Sequence, residues 1–274
     1  MLGLAILFGC IVGFALGLTG GGGGVFAVPL LVYGLAIAPR EAIGISLASV
    51  GGTALFGAIP RLIRGEVELR TGLLFAVAGM VGAPAGAYLS KLIPDRILLS
   101  LFAMLMLLVA YRMWSKTKNP EVASGLCLTE NAPGEDRSAC QRDADGKLRL
   151  TSKCARLLVV VGLMTGVLSG MFGVGGGFVI VPALVLFSGM AIHQAVGTSL
   201  FVIVLVSISG VASHVAAGNP LSWEITGQFM IGGFAGMWLG GVVAKKLKGP
   251  TLQRTFSIAV VLVAMFVIAK SVIL

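Results

Sequence analysis

Two glycine-rich runs are the residues of this chain best suited to bind a ligand. They are Gly22, Gly23 and Gly24, and Gly175, Gly176 and Gly177. Glycine lets a backbone approach a ligand closely, and the first amide groups of a helix that follows have no partners inside it. Such amides lie at the positive end of the helix dipole and attract anions. The runs therefore predict backbone sites for a small oxyanion.

The same proline and serine follow each run. Pro29 and Pro182 stand five residues beyond the last glycine, where a proline bends or breaks a helix. Ser46 and Ser199 come next, and each hydroxyl would give a bound oxyanion a donor without an intramembrane charge. Other hydroxyls in these stretches either extend that lining or bond to their own helix. They are Ser49, Thr53, Thr198, Ser207, Ser209 and Ser213.

These matched positions belong to an internal repeat. At a constant offset of 153, residues 17–47 agree with residues 170–200 at 14 of 31 positions, without a gap. A duplicated glycine-rich interruption of a hydrophobic segment marks the central site of many transporters. Transport is therefore the leading hypothesis. Gly82 with Gly86 and Gly236 with Gly240 have the four-residue spacing of close helix contacts.

The elements that carry these residues are membrane helices. Hydrophobic residues make up 57% of the 274 residues and charged ones 11%, which excludes an ordinary soluble domain. Residues 25–38 and 178–192 are too short to span a bilayer, which needs about 20 residues. We predict an all-α polytopic membrane bundle of ten segments. The segments are 1–18, 25–38, 42–60, 71–90, 97–114, 155–172, 178–192, 194–217, 225–244 and 255–273.

Charge sets the predicted orientation. Sixteen of the 20 lysines and arginines fall on one side of the ten segments and four on the other, and the basic side is cytoplasmic. Both termini are then outside. Five segments per half is an odd number, so the halves should be inverted repeats with glycine-rich breaks or re-entrant hairpins. We expect the breaks to meet at a hydrated site and one half to rock against the other.

A polar stretch divides the chain into a first membrane repeat (1–114), a cytoplasmic insertion (115–153) and a second repeat (154–274). Within the insertion, Asp145 and Gly146 predict the turn of a small hairpin. Cys127, Cys140 and Cys154 lack the spacing of a zinc site and should stay reduced in the cytoplasm. We predict no metal site.

Charged side chains near the membrane are few. Arg40, Arg61 and His214 stand at segment ends, where they anchor the helices or guide an anion toward the pore. The net charge of +9 is explained by topology, so no nucleic-acid partner is expected. No Walker loop, dinucleotide context or catalytic carboxylate pair is present, so we predict neither an enzyme nor a cofactor.

The doubled pattern GLTGGGGGVFAVPLL with GISLASV, and GMFGVGGGFVIVPALV with GTSLFVI, resembles the sulfite exporter TauE/SafE family of bacterial membrane permeases. The resemblance implies a multi-pass secondary transporter of the inner membrane that exports small sulfur-containing anions such as sulfite or sulfonates. Protons are a candidate coupling ion. By motif, the glycine-proline element and following serine of the family fall on the residues named above.

Two alternatives stay open. One is an importer, or a carrier of other small anions. The other is a membrane sensor or assembly protein that acts through residues 115–153.

Overall fold

The structure is a computed structural model that describes residues 2–118, 141–142, 148–149, 152–188, 190, 192–244, 258, 260–267 and 270. The first half contains α1 (Leu2–Thr19), α2 (Gly24–Pro29) with a π-helical turn (Leu30–Gly34), α3 (Pro39–Ile63), α4 (Leu69–Leu92) and α5 (Asp95–Lys118). The second contains α6 (Ser152–Phe172), α7 (Gly177–Ser188), α8 (Ile192–Ala216), α9 (Trp223–Ala244) and α10 (residues 260–267). In the part of the chain that the structure describes, the predicted membrane segments are therefore helical.

Among the described residues, five helices are long and apolar enough to cross a bilayer. They are Pro39–Ile63, Leu69–Leu92, Cys154–Phe172, His193–Ala216 and Trp223–Ala244. The prediction of two short segments is confirmed, because Gly24–Gly34 is shorter than a span and α7 has 12 residues. Helix α5 continues to Lys118, past the predicted end of the first repeat at residue 114. Lysine and arginine are good helix formers, so a helix continues beyond its apolar part.

Glycines bring the helices into backbone contact. On α1, Gly9 packs on Phe229 of α9 and Gly13 on Gly233. On α6, Gly166 packs on Gly79 of α4 and Gly170 on Ala83. A β-carbon at any of these four glycines would collide with a backbone carbonyl.

The prediction for Gly82, Gly86, Gly236 and Gly240 is confirmed, since each rests against backbone of α6 or α1. Small residues allow this approach in a membrane, where packing drives helix association.

The order of these contacts gives the helix directions. Residue numbers rise together along the α1–α9 and α4–α6 contacts, so each of these pairs is parallel. In the α3–α8 pair, Gly44 meets His214, Gly51 meets Ser207 and Gly57 meets Leu200, so these two helices are antiparallel. Contacts of α3 with α9 and of α4 with α8 are parallel. Helices α1, α3 and α9 therefore run one way, and α4, α6 and α8 run the other.

The first short helix folds back on α1. Gly23 rests on the backbone of Leu16, and Gly34 meets the ring of Phe8. Residues 23–34 therefore run antiparallel to α1 and pack against it.

A two-stranded hairpin lies between the halves. Strand β1 (Gln141–Arg142) pairs antiparallel with β2 (Leu148–Arg149), and the turn predicted at Asp145 and Gly146 lies outside the described residues. Cys154 is disulfide-bonded, so the expectation that it stays reduced is wrong in this structure. Spacing along a chain does not reveal which sulfur atoms come close in space. Cys127 and Cys140 lie outside the described residues.

Candidate functional site

The chain leaves helical structure at two equivalent places, which we call the first glycine segment (residues 20–23) and the second glycine segment (residues 173–176). Gly20 begins the first with φ of +73°, and Gly173 begins the second with φ of +72°. Glycine adopts this left-handed conformation without steric cost. The two positions differ by the repeat offset of 153.

The two segments touch at the centre of the bundle. A β-carbon on Gly21 would lie 2.8 Å from the Cα of Gly177, and one on Gly24 would strike the carbonyl of Val174. The offset exchanges these two contacts, because Gly21 corresponds to Val174 and Gly24 to Gly177. The contact therefore has the approximate symmetry of the repeat.

Ser46 and Ser199 bind the glycine segment of the opposite half. Ser46 Oγ donates to the carbonyl of Gly173 at 2.5 Å, and Ser199 Oγ donates to the carbonyl of Gly20 at 2.6 Å. We call this pair the crossed serine bonds. The carbonyl of Val196 in its own helix is a second, longer acceptor for Ser199 at 2.9 Å. Both serines are fully buried, and the offset again exchanges the two bonds. A hydroxyl has one hydrogen, so in this conformation both donors are used by the protein.

The two prolines occupy different surroundings. Pro29 is buried at the end of α2, directly before the π-helical turn. Pro182 lies inside α7 and is exposed.

Most of the other hydroxyls bond to the protein. Ser49 donates to the carbonyl of Thr226 at 3.4 Å and Thr53 to that of Ser49 at 2.7 Å. Ser209 donates to the carbonyl of Met80 and Ser213 to that of Ser209, each at 2.7 Å. Thr198 Oγ1 accepts the amide of Glu68 at 3.0 Å. These five therefore have structural partners. Only Thr53 and Ser213 bond to their own helix, as the alternative predicts, and the other three bond to groups outside it.

Three buried polar side-chain atoms among the described residues have no hydrogen-bond partner. They are Ser169 Oγ, Ser207 Oγ and His214 Nε2. The repeat did not point to Ser169, since its counterpart is Leu16. The difference between the halves at this position was the signal that could have found it.

One group of charged residues lies at the end of the bundle where α3 begins. Arg40 pairs with Asp95 at 3.1 Å, and Lys91 Nζ donates to the carbonyl of Ala217 at 2.6 Å. His214 is 1% exposed, with Nδ1 at 3.4 Å from Asn219 Nδ2. Burial against Gly44 makes His214 a packed residue in the last turn of α8, and its role as an interfacial anchor stays a prediction.

Both glycine segments are closed to solvent. Every residue in 20–29 and in 169–178 is buried. A cavity of about 10 Å³ lined by Val28, Ile43 and Phe172, among others, is at the lower limit for one water molecule. The expected hydrated site is thus closed here, because the two segments fill each other's space.

No charged side chain lies in residues 1–39 or 157–192, which contain both glycine segments, α1, α2 and α7. In the described residues, no group of three or more histidine, cysteine, aspartate or glutamate side chains is placed to hold a metal. The chemistry available at the centre is therefore that of amide and hydroxyl dipoles.

Comparisons with known proteins agree on one class. A family model described as "Sulfite exporter TauE/SafE" matches residues 5–267. The chain is 34% identical over 266 residues to a "Probable membrane transporter protein" of Xylella fastidiosa, covering 96% of this chain and 93% of that protein. It is 27% identical to the "Probable membrane transporter protein YunE" of Bacillus subtilis, covering 95% and 94%. No solved structure matches the chain significantly.

Proposed function

Because the chain belongs to the sulfite exporter TauE/SafE family, and is therefore a multi-pass membrane transporter, we propose that it exports a small sulfur-containing oxyanion. Sulfite and short sulfonates are the expected substrates. Transport is secondary and proceeds by alternating access, with protons or the membrane potential as the driving force.

One observation carries this proposal. Two equivalent glycine segments meet at the centre of the bundle, and each is held by a serine of the opposite half. An anion between them would meet amide groups at the N-terminal ends of α2 and α7, where helix dipoles favour negative charge. Neutral dipoles bind an anion weakly enough to release it, which a carrier requires.

The helix directions support an inverted repeat. Equivalent helices of the two halves, such as α1 and α6 or α3 and α8, run in opposite directions. An inverted pair of glycine segments approaches the midplane from both faces, so the same site can open to either side in turn.

In this mechanism the proposed substrate-binding residues act in two groups. Residues 22–24 and 175–177 supply backbone amides, and Ser46 and Ser199 supply hydroxyl donors. The closed structure uses those hydroxyls in the crossed serine bonds, so an entering anion exchanges each glycine carbonyl for one of its own oxygens. Pro29 and Pro182 are the proposed bending points beside the site.

The orientation stays a prediction of the basic residues, with residues 115–153 in the cytoplasm and both termini outside in the inner membrane. Alkaline phosphatase fused after Leu274 should then be active. An inactive phosphatase fusion, with a fluorescent cytoplasmic reporter at the same position, would reverse the orientation.

Flux into proteoliposomes tests the function. The purified full chain should carry radiolabelled sulfite faster than labelled acetate, and unlabelled methanesulfonate or thiosulfate should compete. Equal rates for sulfite and acetate would contradict the proposed substrate class, and no flux of any anion would contradict the transport proposal.

A further inference from the structure

The hydroxyl of Ser207 is buried at the middle of the bundle. It has no hydrogen-bond partner among the described residues. The side chain of Ser207 is 2% exposed. Oγ lies 3.2 Å from the position that a β-carbon on Gly51 would take, and 3.8 Å from the same position on Gly175. The hydroxyl therefore lies between α3 and the second glycine segment.

Ser169 has another such hydroxyl beside the same segment. It is fully buried, and its Oγ also lacks a partner in the described part of the chain. Its carbonyl accepts the amide of Gly173 at 2.8 Å, which places it one helical turn before the segment. Burying a hydroxyl without a partner costs free energy, so two of them beside one segment need a reason.

The first glycine segment has neither hydroxyl. The offset of 153 places Leu16 opposite Ser169 and Ala54 opposite Ser207. Among the residues that the structure describes, the unused hydroxyl donors are therefore found in the second half alone.

The backbone amides of the two glycine segments also differ, because among the described residues only the first segment has a side chain of its own half that accepts from one of them. Thr19 Oγ1 accepts the amide of Gly22 at 2.9 Å. The equivalent of Thr19 is Phe172, and a phenyl ring has no oxygen to accept the amide of Gly175. The first segment is thus capped by its own chain, while the second lacks that cap.

We infer that the anion binds to the second glycine segment, with Ser207 as a direct hydroxyl donor and Ser169 as a further one. The inference rests on the proposed function and narrows its site. Helix α7 has 12 residues, so its first amides lie at the positive end of a helix dipole. The ligand class is a small oxyanion, whose oxygens accept from hydroxyl and amide donors together.

The test compares affinity with stability in Ser207→Ala. Sulfite binding to the purified full chain is measured by calorimetry, and thermal unfolding is measured without ligand. Because the variant loses a hydrogen bond to a charged group, its affinity for sulfite should fall about tenfold or more. Because the hydroxyl lacks a protein partner, its removal should leave the unfolding temperature unchanged or higher, which a merely structural serine would not do.

Ser209→Ala is the matched control on the same helix, because its hydroxyl already donates to Met80. It should bind sulfite as the wild type does. Ser207→Cys, whose thiol fills the space of the hydroxyl but is a weak donor, should lose affinity like Ser207→Ala and serves if the alanine variant folds poorly. Ser169→Ala should give a smaller loss in the same direction.

The possible results distinguish a failure of the inferred binding site from a failure of the proposed transport function. If the wild type carries and binds sulfite while Ser207→Ala binds it equally well, the inference fails and the transport proposal stands. If the wild type neither binds nor carries sulfite, methanesulfonate or thiosulfate, the proposed function fails and the inference fails with it.

Discussion

The crossed serine bonds should stabilise the closed structure measurably. Ser46→Ala removes the donor that the Gly173 carbonyl receives at 2.5 Å, and Ser199→Ala removes the donor of the Gly20 carbonyl at 2.6 Å. Both carbonyls lie at buried helix ends. A buried acceptor left unpaired costs about 1–3 kcal/mol. We expect that loss for each single variant.

The double variant should lose more than either single one. Independent bonds would sum to about 2–6 kcal/mol, and because both bonds hold the same central contact, we expect a departure from additivity. At about 2–4 °C per kcal/mol for a chain of this size, each single substitution lowers the unfolding temperature by about 2–12 °C. The assay is thermal unfolding of purified protein in one detergent, at one protein concentration.

Ser90→Ala is the matched control. Ser90 is equally buried, but its hydroxyl donates to the carbonyl of Ala87 in its own helix, which also accepts a helical amide. Its loss should cost little. If Ser46→Ala and Ser199→Ala unfold at the temperature of Ser90→Ala, the crossed bonds do not hold the glycine segments and the reasoning is refuted. Sulfite affinity should fall in the double variant, and unchanged affinity would remove both serines from the proposed site.

Two further changes probe the glycine segments and the insertion. Gly23→Leu and Gly176→Leu should abolish flux while the protein still reaches the membrane. A β-carbon at Gly23 would strike the backbone of Leu16, and one at Gly176 would lie 2.7 Å from Thr165 Cγ2. Gly227→Leu is the control that should retain flux, because Gly227 has open space around it, and normal flux in the first two variants would contradict the proposed site. Deletion of residues 115–153 should leave sulfite flux intact in proteoliposomes, whereas loss of flux from a stably folded deletion would favour a role of the insertion itself.

Local patterns predicted the parts of the fold that depend on neighbouring residues. The apolar composition predicted membrane helices, and the lengths of segments 25–38 and 178–192 predicted that two of them are short. The spacing of Gly82 and Gly86 predicted a helix contact through the backbone. Each follows from what one stretch of chain can bury.

Long-range partners could not be predicted in the same way. Ser46 and Gly173 are 127 residues apart, and only the folded arrangement shows that this hydroxyl binds the opposite half. Equivalence in the repeat pointed to Ser46 and Ser199, but their donors are occupied here. Ser169 and Ser207 stand out because the repeat fails at their positions, and a search for shared residues passes over such differences.

The tightest helix contacts have a mechanical consequence. Helix α1 is locked by backbone contact to α9, and α6 to α4, so each of these pairs joins helices of different sequence halves. Separating the halves as rigid bodies would break both pairs. Each rigid body that moves during transport is therefore expected to contain helices from both repeats. Neither repeat expressed by itself would contain a complete rigid body.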